Sequence, residues 1–444
     1  MPDDARVLFV PGAAAWGPYN ALRAMAEVVR DRGRRPVFAM DGSFRGVAAA
    51  HGFDEMVYDA SPPPADPAQA GPATWAAWVR ENAVHFRGTT LEQLSTVIRP
   101  QWAELARAAE YAHPRLCAII DEVRPDLIVV DDVGADPSVA ASGIPWVRSI
   151  SANPLELTDP ELPPAFSGYP LHDRSGWAAF RAEYAALHTG LHAEFDAFCT
   201  AQGAPPLEPL RFSYDSPWLN LYTYPSALDY PRPAEFAQRW HRLDTVVRTG
   251  ERRFRVADHL PGTGPVIYLS LGSLGSLDTR LLQHVVDVVA RTGHRTVVSM
   301  GPCHHEVTLG PNMYGEPFLP QPGVLPDCDL LITHGGSNTL GEGVAAGLPM
   351  IVLPLFRDQY DNAQRVADLG FGVRTDTYGF DPDALVDTIE DLLADDDRRQ
   401  RLAEVSENIR RAPGRETGGT LIADLAASLP GAPVRGVAFP RTDT

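Results

Sequence analysis

A glycine pair between an apolar run and a helical pattern carries the clearest chemistry in this sequence. Leu330–Thr333 forms the apolar run, and Gly335 and Gly336 permit a tight turn before the helix. The free N–H groups and positive dipole end of such a helix start are where a diphosphate would dock. Hydrogen-bonding side chains surround the turn: His334, Ser337, Asn338 and Thr339. An ordinary capped helix has the same pattern, so these residues alone leave both interpretations open.

Two adjacent carboxylates, Asp131 and Asp132, follow a second apolar run at residues 127–130. A carboxylate at the carboxyl end of a strand can accept a proton from a ligand in the cleft. Two neighbouring acids can raise one pKa, although consecutive residues of a strand point to opposite faces. Asp-Asp pairs are also common in plain surface turns, so a structural role is an equal alternative.

Paired histidines occur at two places, and neither indicates a metal site. His188 and His192 lie one turn apart on a predicted helix, but no third ligand is evident. His304 and His305 fall in a predicted loop, where solvated histidines are the more common case. Neither histidine pair therefore predicts a bound metal or cofactor.

The elements that must position these residues follow the same pattern in both halves of the chain. Residues 6–10, 19–32 and 36–40 have the patterns of strand, helix and strand with short links, which indicates a parallel sheet. The second half repeats the pattern, with strands predicted at 266–271, 296–300, 330–333 and 350–354. We therefore predict two doubly wound, Rossmann-like α/β domains that face each other across a cleft.

The chain of 444 residues is too long for one compact core, and this agrees with two domains. We expect an N-terminal domain at 1–240, a linker at 241–262 and a second domain at 263–420. A tail at 421–444 follows, for which packing back on the first domain is one option.

Composition excludes several classes of partner. The net charge is −19, and all 38 basic residues are Arg, so the acidic surface disfavours nucleic acid and anionic membranes. The four cysteines have no paired or metal-type spacing and are expected to be reduced. The first residues do not resemble a signal peptide, and no apolar run is long enough to cross a bilayer. We expect a soluble, cytoplasmic protein.

The stretch from Phe318 to Gln359 resembles the signature of the family 1 UDP-glycosyltransferases. The matching segments are Phe318-Leu-Pro-Gln321, Thr333-His-Gly-Gly-Ser-Asn-Thr-Leu-Gly-Glu342, Gly347-Leu-Pro349 and Asp358-Gln359. Residues 266–273 are similar to the strand and loop that open the same domain. The resemblance is strong over 265–375 and is to bacterial enzymes of natural-product and macrolide type. It implies a GT-B fold, with the donor on the C-terminal domain and the acceptor on the N-terminal domain.

The resemblance also implies roles for individual residues. Phe318 stands where the family usually has a Trp that stacks on the base, and Gln321 lies near the base and ribose. The diphosphate contacts are expected from Gly272, Ser273, His334, Gly336, Ser337, Asn338 and Thr339. Glu342 would bind the ribose hydroxyls, and Asp358 and Gln359 the sugar hydroxyls.

Glu342 bears on the identity of the donor. A carboxylate at this position suits a ribose with both hydroxyls, whereas relatives that use dTDP-deoxysugars tend to have Thr. Glu342 therefore favours a UDP-sugar, and Asp358 with Gln359 favours a fully hydroxylated hexose such as glucose.

The acceptor side departs from the family pattern, which is Gly-His-x-x-Pro in the first loop. When Gly17 is aligned with the motif's Gly, Pro18 stands where the family has its catalytic His. Shifting the register by three residues places Ala15 there, so neither alignment supplies a base. Trp16, Gly17 and Pro18 are expected to form an acceptor-side loop, and Pro18 suits the first turn of a helix.

By the same resemblance, Asp131 falls where the family has the Asp that orients its His. We therefore expect either that Asp131 or Asp132 is the base, or that the acceptor needs little deprotonation. The leading prediction is an inverting transferase that moves a hexose from a UDP-sugar to a small lipophilic acceptor. The alternatives are a dTDP-deoxysugar transferase, a UDP-sugar hydrolase or epimerase, and a nucleotide-binding pseudoenzyme. Acceptor identity, the type of bond formed and oligomeric state stay open.

Overall fold

The computed structural model describes residues 5–12, 16–62, 79, 81–248, 251–411 and 413–429. Two parallel sheets organise them. The strands of the first sheet are β1 Arg6–Pro11, β2 Arg35–Asp41, β3 Asp54–Tyr58, β4 Leu127–Asp131, β5 Trp146–Ile150, β6 Leu219–Thr223 and β7 His241–Leu243. Those of the second are β8 Val266–Ser270, β9 Arg295–Ser299, β10 Met313–Glu316, β11 Leu330–Thr333, β12 Met350–Val352 and β13 Gly372–Arg374.

Long helices cover both faces of each sheet. They are α1 Trp16–Asp31, α2 Arg99–Val123, α3 Trp177–Ala201, α4 Thr279–Ala290, α5 Ser337–Ala346, α6 Asp358–Asp368, α7 Pro382–Ala394, α8 Asp396–Arg411 and α9 Gly414–Ser428. The shorter helical segments are Gly42–Phe44, Val47–Ala50, His85–Arg87, Thr90–Gln93, Leu94–Ile98, Pro137–Ala140, Pro154–Leu157, Ala234–Arg239, Val256–His259, Gly272–Gly275, His304–Glu306, Gln321–Val324 and Leu325–Asp327. The central strands, such as β4, β8 and β11, are buried on both sides and therefore contain nearly continuous apolar runs.

The strand order places a crevice at the same point of each sheet. The orders are β3-β2-β1-β4-β5-β6-β7 and β10-β9-β8-β11-β12-β13. The direction of winding reverses between β1 and β4 and again between β8 and β11. Ligands of doubly wound sheets bind at such points, beyond the carboxyl ends of the strands. The prediction of two Rossmann-like domains in a GT-B arrangement is confirmed.

Helices α5 and α6 begin with polar first turns, at Ser337 and Asp358. For α5 this agrees with the helix start predicted directly after the glycine pair. As a result, Ser337, Asn338, Asp358 and Gln359 all lie on first helical turns, where N–H groups are free.

Helix α9 follows the second domain but packs on the first. A Cβ at Gly418 would lie 2.6 Å from Met25 Sδ, and one at Gly419 would lie 2.5 Å from Val28 Cβ. The two glycines therefore let α9 approach α1 closely. Residues 430–444, the rest of the expected tail, lie outside the described residues.

Candidate functional site

The ring of His334 is held between two glycines at the reversal point of the second sheet. A Cβ at Gly272, where φ is +70°, would lie 2.4 Å from His334 Cε1. A Cβ at Gly336 would lie 2.5 Å from Nε2 of the same ring. Burial lowers the pKa of His334 to about 4. The imidazole is therefore neutral at physiological pH and can offer a hydrogen bond, not a positive charge.

The side chains at the start of α5 already have protein partners. Ser337 Oγ donates to Asp358 Oδ2 at 3.0 Å, and Asn338 Nδ2 donates to the carbonyl of Gly17 at 2.9 Å. Thr339 Oγ1 accepts from Gln321 Nε2 at 3.3 Å. The Asn338 contact joins the second domain to the first turn of α1. A diphosphate that uses Asn338 must therefore compete with this bond between the domains.

Gln321 and Glu342 meet at the end expected to hold the base and ribose. Gln321 Nε2 donates to Glu342 Oε2 at 2.6 Å, and Arg248 Nη1 pairs with Oε1 at 2.8 Å. Burial raises the pKa of Glu342, and the charge of Arg248 acts against this shift. Both carboxylate oxygens are therefore engaged. No sequence pattern pointed to Arg248, because it lies in the expected linker.

Phe318 remains available for stacking. Its side chain is 58% exposed, an unusual position for a large apolar residue. Trp16 of the first domain lies 6.2 Å from it between ring centroids and packs on Phe44 at 4.9 Å. The expected base-stacking residue and the expected acceptor-side loop therefore come together across the cleft. The prediction of a loop at Trp16, Gly17 and Pro18 is wrong, because these residues form the first turn of α1, and Ala15 lies outside the described residues.

Asp358 and Gln359 are the first two residues of α6, and their side chains differ in the hydrogen-bond partners that they have. Asp358 Oδ2 accepts from Ser337 Oγ and from the backbone N–H of Asn153 at 3.2 Å. Gln359 is buried, and its Oε1 accepts from the N–H groups of Leu355 and Phe356. Gln359 therefore stabilises the chain just before α6, whereas Asp358 connects the glycine turn to the first domain.

The carboxylates Asp131 and Asp132 lie at the reversal point of the first sheet, as predicted. Asp131 is buried, and its Oδ1 accepts from Ser151 N and Oγ at 3.3 and 3.2 Å. Its Oδ2 accepts from Ser149 Oγ at 3.1 Å. Burial raises the pKa of Asp131 to about 6 and also raises that of Asp132. Asp132 Oδ1 accepts from Gly134 N at 3.1 Å.

A cavity of about 410 Å³ lies in the first domain. Its walls include aromatic and proline side chains, among them Trp102, Pro163, Phe166, Phe180, Tyr184 and Phe212, and also the charged residues Glu156, Asp159, Arg181, Glu208 and Arg211. Of the five described non-glycine residues with positive φ, three line this cavity: Thr158, Phe166 and Leu210. Strained backbone of this kind concentrates at ligand sites. Sequence reasoning missed the cavity, because its walls come from widely separated segments.

Glu156 lines the same cavity and reaches the second domain. Its Oε2 pairs with Arg357 Nη2 at 3.2 Å, and the two side chains are 7% and 14% exposed. Arg357 has φ +54° and ψ −139°, and its guanidinium lies 5.1 Å from the ring centres of both Trp102 and Phe166. Because Arg357 directly precedes Asp358, the Glu156–Arg357 pair connects the cavity wall to the residue expected to bind sugar hydroxyls.

Comparison with known proteins accounts for this arrangement. Residues 252–411 match the family model described as UDP-glucoronosyl and UDP-glucosyl transferase. The chain is 26% identical to the oleandomycin glycosyltransferase of Streptomyces antibioticus, over 93% of this chain and 90% of that protein. It is 27% identical to the zeaxanthin glucosyltransferase of Pseudescherichia vulneris, over 70% of this chain and 77% of that one. Over residues 252–411 the chain matches the family 1 glycosyltransferases, and the two bacterial relatives extend the similarity over most of its length.

Solved structures show that this glycosyltransferase has the GT-B fold. The glycotransferase of kitacinnamycin superposes with a TM-score of 0.65 at 22% identity, over 96% of this chain and 100% of that one. A spinosyn rhamnosyltransferase solved with thymidine diphosphate gives 0.64 at 19% identity, over 95% and 99%. At these sequence identities, the superpositions are evidence for the fold alone.

The remaining histidines of the glycosyltransferase have structural partners or lie at its surface. His188 is buried and stacks on Tyr184, and His192 Nε2 contacts two backbone carbonyl oxygens. His305 is exposed in the turn His304–Glu306. In the described part of the chain, no group of three or more His, Cys, Asp or Glu side chains is arranged to hold a metal.

No described helix of the glycosyltransferase combines the length and apolar character needed to cross a membrane.

Proposed function

We propose that this glycosyltransferase moves a hexose, most favourably glucose, from a UDP-sugar to a small lipophilic acceptor with inversion at the anomeric carbon. The observation that carries the proposal is the aromatic-lined cavity of the first domain. Through Glu156 and Arg357 it adjoins Asp358, at the start of α6. An apolar acceptor in the cavity would therefore reach toward a sugar held at Asp358.

The choice of UDP as the nucleotide rests on Glu342. A carboxylate can accept hydrogen bonds from both ribose hydroxyls, whereas a deoxyribose offers only one. Some relatives of the family region carry UDP in their names, such as the UDP-glucuronosyltransferase 1A6 of Oryctolagus cuniculus.

A dTDP-sugar is the second candidate donor, and a specific observation favours it. Both oxygens of Glu342 are engaged, one by Arg248 and one by Gln321. A ribose 2′-hydroxyl would have to share those partners. The spinosyn rhamnosyltransferase with a similar fold was solved with thymidine diphosphate.

For acceptor activation, we propose that a carboxylate of the first domain accepts the proton, in place of the usual His. Pro18 occupies that position of the first loop and has no group that could act as a base. Asp131 and Asp132 are the candidates that the sequence supplies, and both lie at the carboxyl end of β4. No metal is part of the proposed reaction, because free N–H groups at the start of α5 can stabilise the leaving diphosphate.

The test is to incubate the protein with UDP-glucose or dTDP-glucose, with and without a panel of phenols, alcohols and amines. Release of UDP and product mass are measured together. The proposal predicts UDP release only with an acceptor, together with a glucosylated product. Free glucose or an epimer without acceptor would show the hydrolase or epimerase alternative instead. Binding of UDP with no product from any acceptor would favour the pseudoenzyme.

A further inference from the structure

Glu156 is a buried carboxylate whose two oxygens have different surroundings. Oε2 is paired with Arg357, whereas Oε1 is buried without a hydrogen-bond partner in the described structure. Leaving such an oxygen unsatisfied costs free energy, which a ligand that donates a hydrogen bond would recover. Since Glu156 lines the aromatic cavity, a ligand bound in that cavity could donate the missing hydrogen bond to Oε1.

The backbone around Glu156 is fixed against the donor domain. Asn153, fully buried, starts the turn Pro154–Leu157, and its N–H donates to Asp358 Oδ2 at 3.2 Å. Its side chain caps the N–H of Leu155 and donates to Asn362 Oδ1 at 2.8 Å. The turn that carries Glu156 therefore has a defined position relative to the start of α6.

Arg357 holds the carboxylate from the other side. Its positive φ is a conformation that non-glycine residues rarely adopt and that costs roughly 1–3 kcal/mol. The ion pair with Glu156 and the two aromatic rings on its guanidinium hold it there. The strained backbone of Arg357 lies between the cavity residue Glu156 and the start of α6. Strain that is maintained at such a place indicates a functional role.

The protonation of Glu156 suits proton transfer near neutral pH. Burial raises its pKa to about 7, the charges of Arg357 and Arg148 act to lower it, and Asp358 raises it further. A base with a pKa near the working pH combines a useful ionised fraction with a real affinity for the proton. Asp131 differs, because hydrogen bonds from Ser149 and Ser151 already engage both of its oxygens.

We propose that Glu156 is the catalytic base, and this proposal rests on the transfer reaction proposed above. Oε1 accepts the proton of the acceptor hydroxyl while that hydroxyl oxygen forms its bond to the anomeric carbon. The bond between the anomeric carbon and the diphosphate oxygen breaks, and UDP leaves with the electron pair. The proton then passes from Glu156 to solvent.

The test compares two acceptors of similar shape, 4-methylphenol and 4-nitrophenol, with the variant Glu156→Gln. In weakly alkaline buffer 4-nitrophenol is largely ionised and needs no base, whereas 4-methylphenol keeps its proton. We expect the variant to lose about 100-fold or more in kcat on 4-methylphenol and less than about 10-fold on 4-nitrophenol. Glu161→Gln is the matched control, since Glu161 is 75% exposed and pairs only with Arg174 among described side chains.

The pH profile gives a second readout. Wild-type kcat/KM on 4-methylphenol should fall as the pH drops through about 7, because protonated Glu156 cannot accept a proton. The variant should lack this decline. Equal losses on both phenols, or no loss on either, would overturn the role of Glu156. If the wild type transfers glucose to no acceptor of the panel described above, the proposed function itself fails, and the role of Glu156 fails with it.

Discussion

The donor side and the acceptor side of this glycosyltransferase are built in different ways. The donor element is nearly continuous in sequence, since β11, the glycine turn and α5 follow one another and α6 starts soon after. The cavity that we propose for the acceptor takes its walls from α2, α3, the ends of β4 and β5 and two separate loops. The donor side keeps most of the family's residue types, with Phe318 in place of the usual Trp, whereas the acceptor side lacks the family's His. A binding site made by one supersecondary unit keeps its sequence pattern, while one assembled from distant loops does not.

The largest effect is expected from crowding the donor side. Gly272→Ala places a methyl group 2.4 Å from His334 Cε1 at a residue with φ +70°, so the imidazole must move. Such overpacking costs up to about 3 kcal/mol, which corresponds to an affinity for UDP about 100-fold weaker. Isothermal titration with UDP measures the change.

Gly293→Ala is the matched control for this prediction. Gly293 has φ +71°, but a Cβ there would meet no atom within 4 Å. We expect it to lower stability by about 1 kcal/mol and to leave the affinity for UDP within about twofold of wild type. If both variants bound UDP like the wild type, the placement of the diphosphate beside His334 would be wrong.

A smaller effect is expected from Glu342→Thr, which sharpens the choice between the two donors. The variant loses the carboxylate that would bind two ribose hydroxyls, so its affinity for UDP should fall about 10-fold. Its affinity for dTDP should change less, and the preference for UDP should narrow. Thermal-shift titrations with both nucleotides measure the ratio. Glu251→Gln serves as control, because Glu251 also pairs with Arg248 but has no described contact with Gln321.

If the ratio of the affinities for UDP and dTDP were the same in Glu342→Thr as in the wild type, Glu342 would have no role in ribose recognition. Its carboxylate would then serve only to hold Arg248 and Gln321 in place, and the dTDP-sugar alternative would gain support.

On the acceptor side, Asp131→Asn should have a modest effect on transfer, about threefold or less. An amide can replace the carboxylate, because its oxygen can accept from Ser151 and the hydroxyl of Ser149 can turn to accept from its nitrogen. Asp132→Asn is expected to behave similarly. Transfer to 4-methylphenol is the measurement. If either variant transferred glucose to 4-methylphenol about 100-fold more slowly than the wild type, the substituted residue, and not Glu156, would be the base.

The smallest effect concerns the charge of His334. Because burial lowers its pKa to about 4, the imidazole stays neutral from about pH 8 down to about pH 5. The ratio of UDP-glucose affinities between wild type and His334→Gln should therefore change less than about twofold over this range. A ratio that rises as the pH falls would show that a protonated imidazole binds the diphosphate.

Particular residues show how far the sequence could lead. The glycine turn and its strand were predictable, because a buried strand, a turn and a helix start each have a local pattern. Arg248 was not, since an Arg in a linker has no pattern that points to Glu342. Glu156 was not, because its burial and its partner Arg357 depend on how the two domains meet. The sequence shows that the usual His is missing, but the residue that we propose in its place could be found only from the folded structure.

The central claim is that this chain transfers a hexose from a UDP-sugar to an acceptor with inversion. Proton NMR of the product formed from UDP-glucose and 4-nitrophenol tests it most directly, because the coupling constant of the anomeric proton reports its configuration. The glucose of UDP-glucose is α-linked, so we predict a β-glucoside and one UDP released for each product formed. An α-glucoside, or UDP release with only free glucose, would contradict the claim.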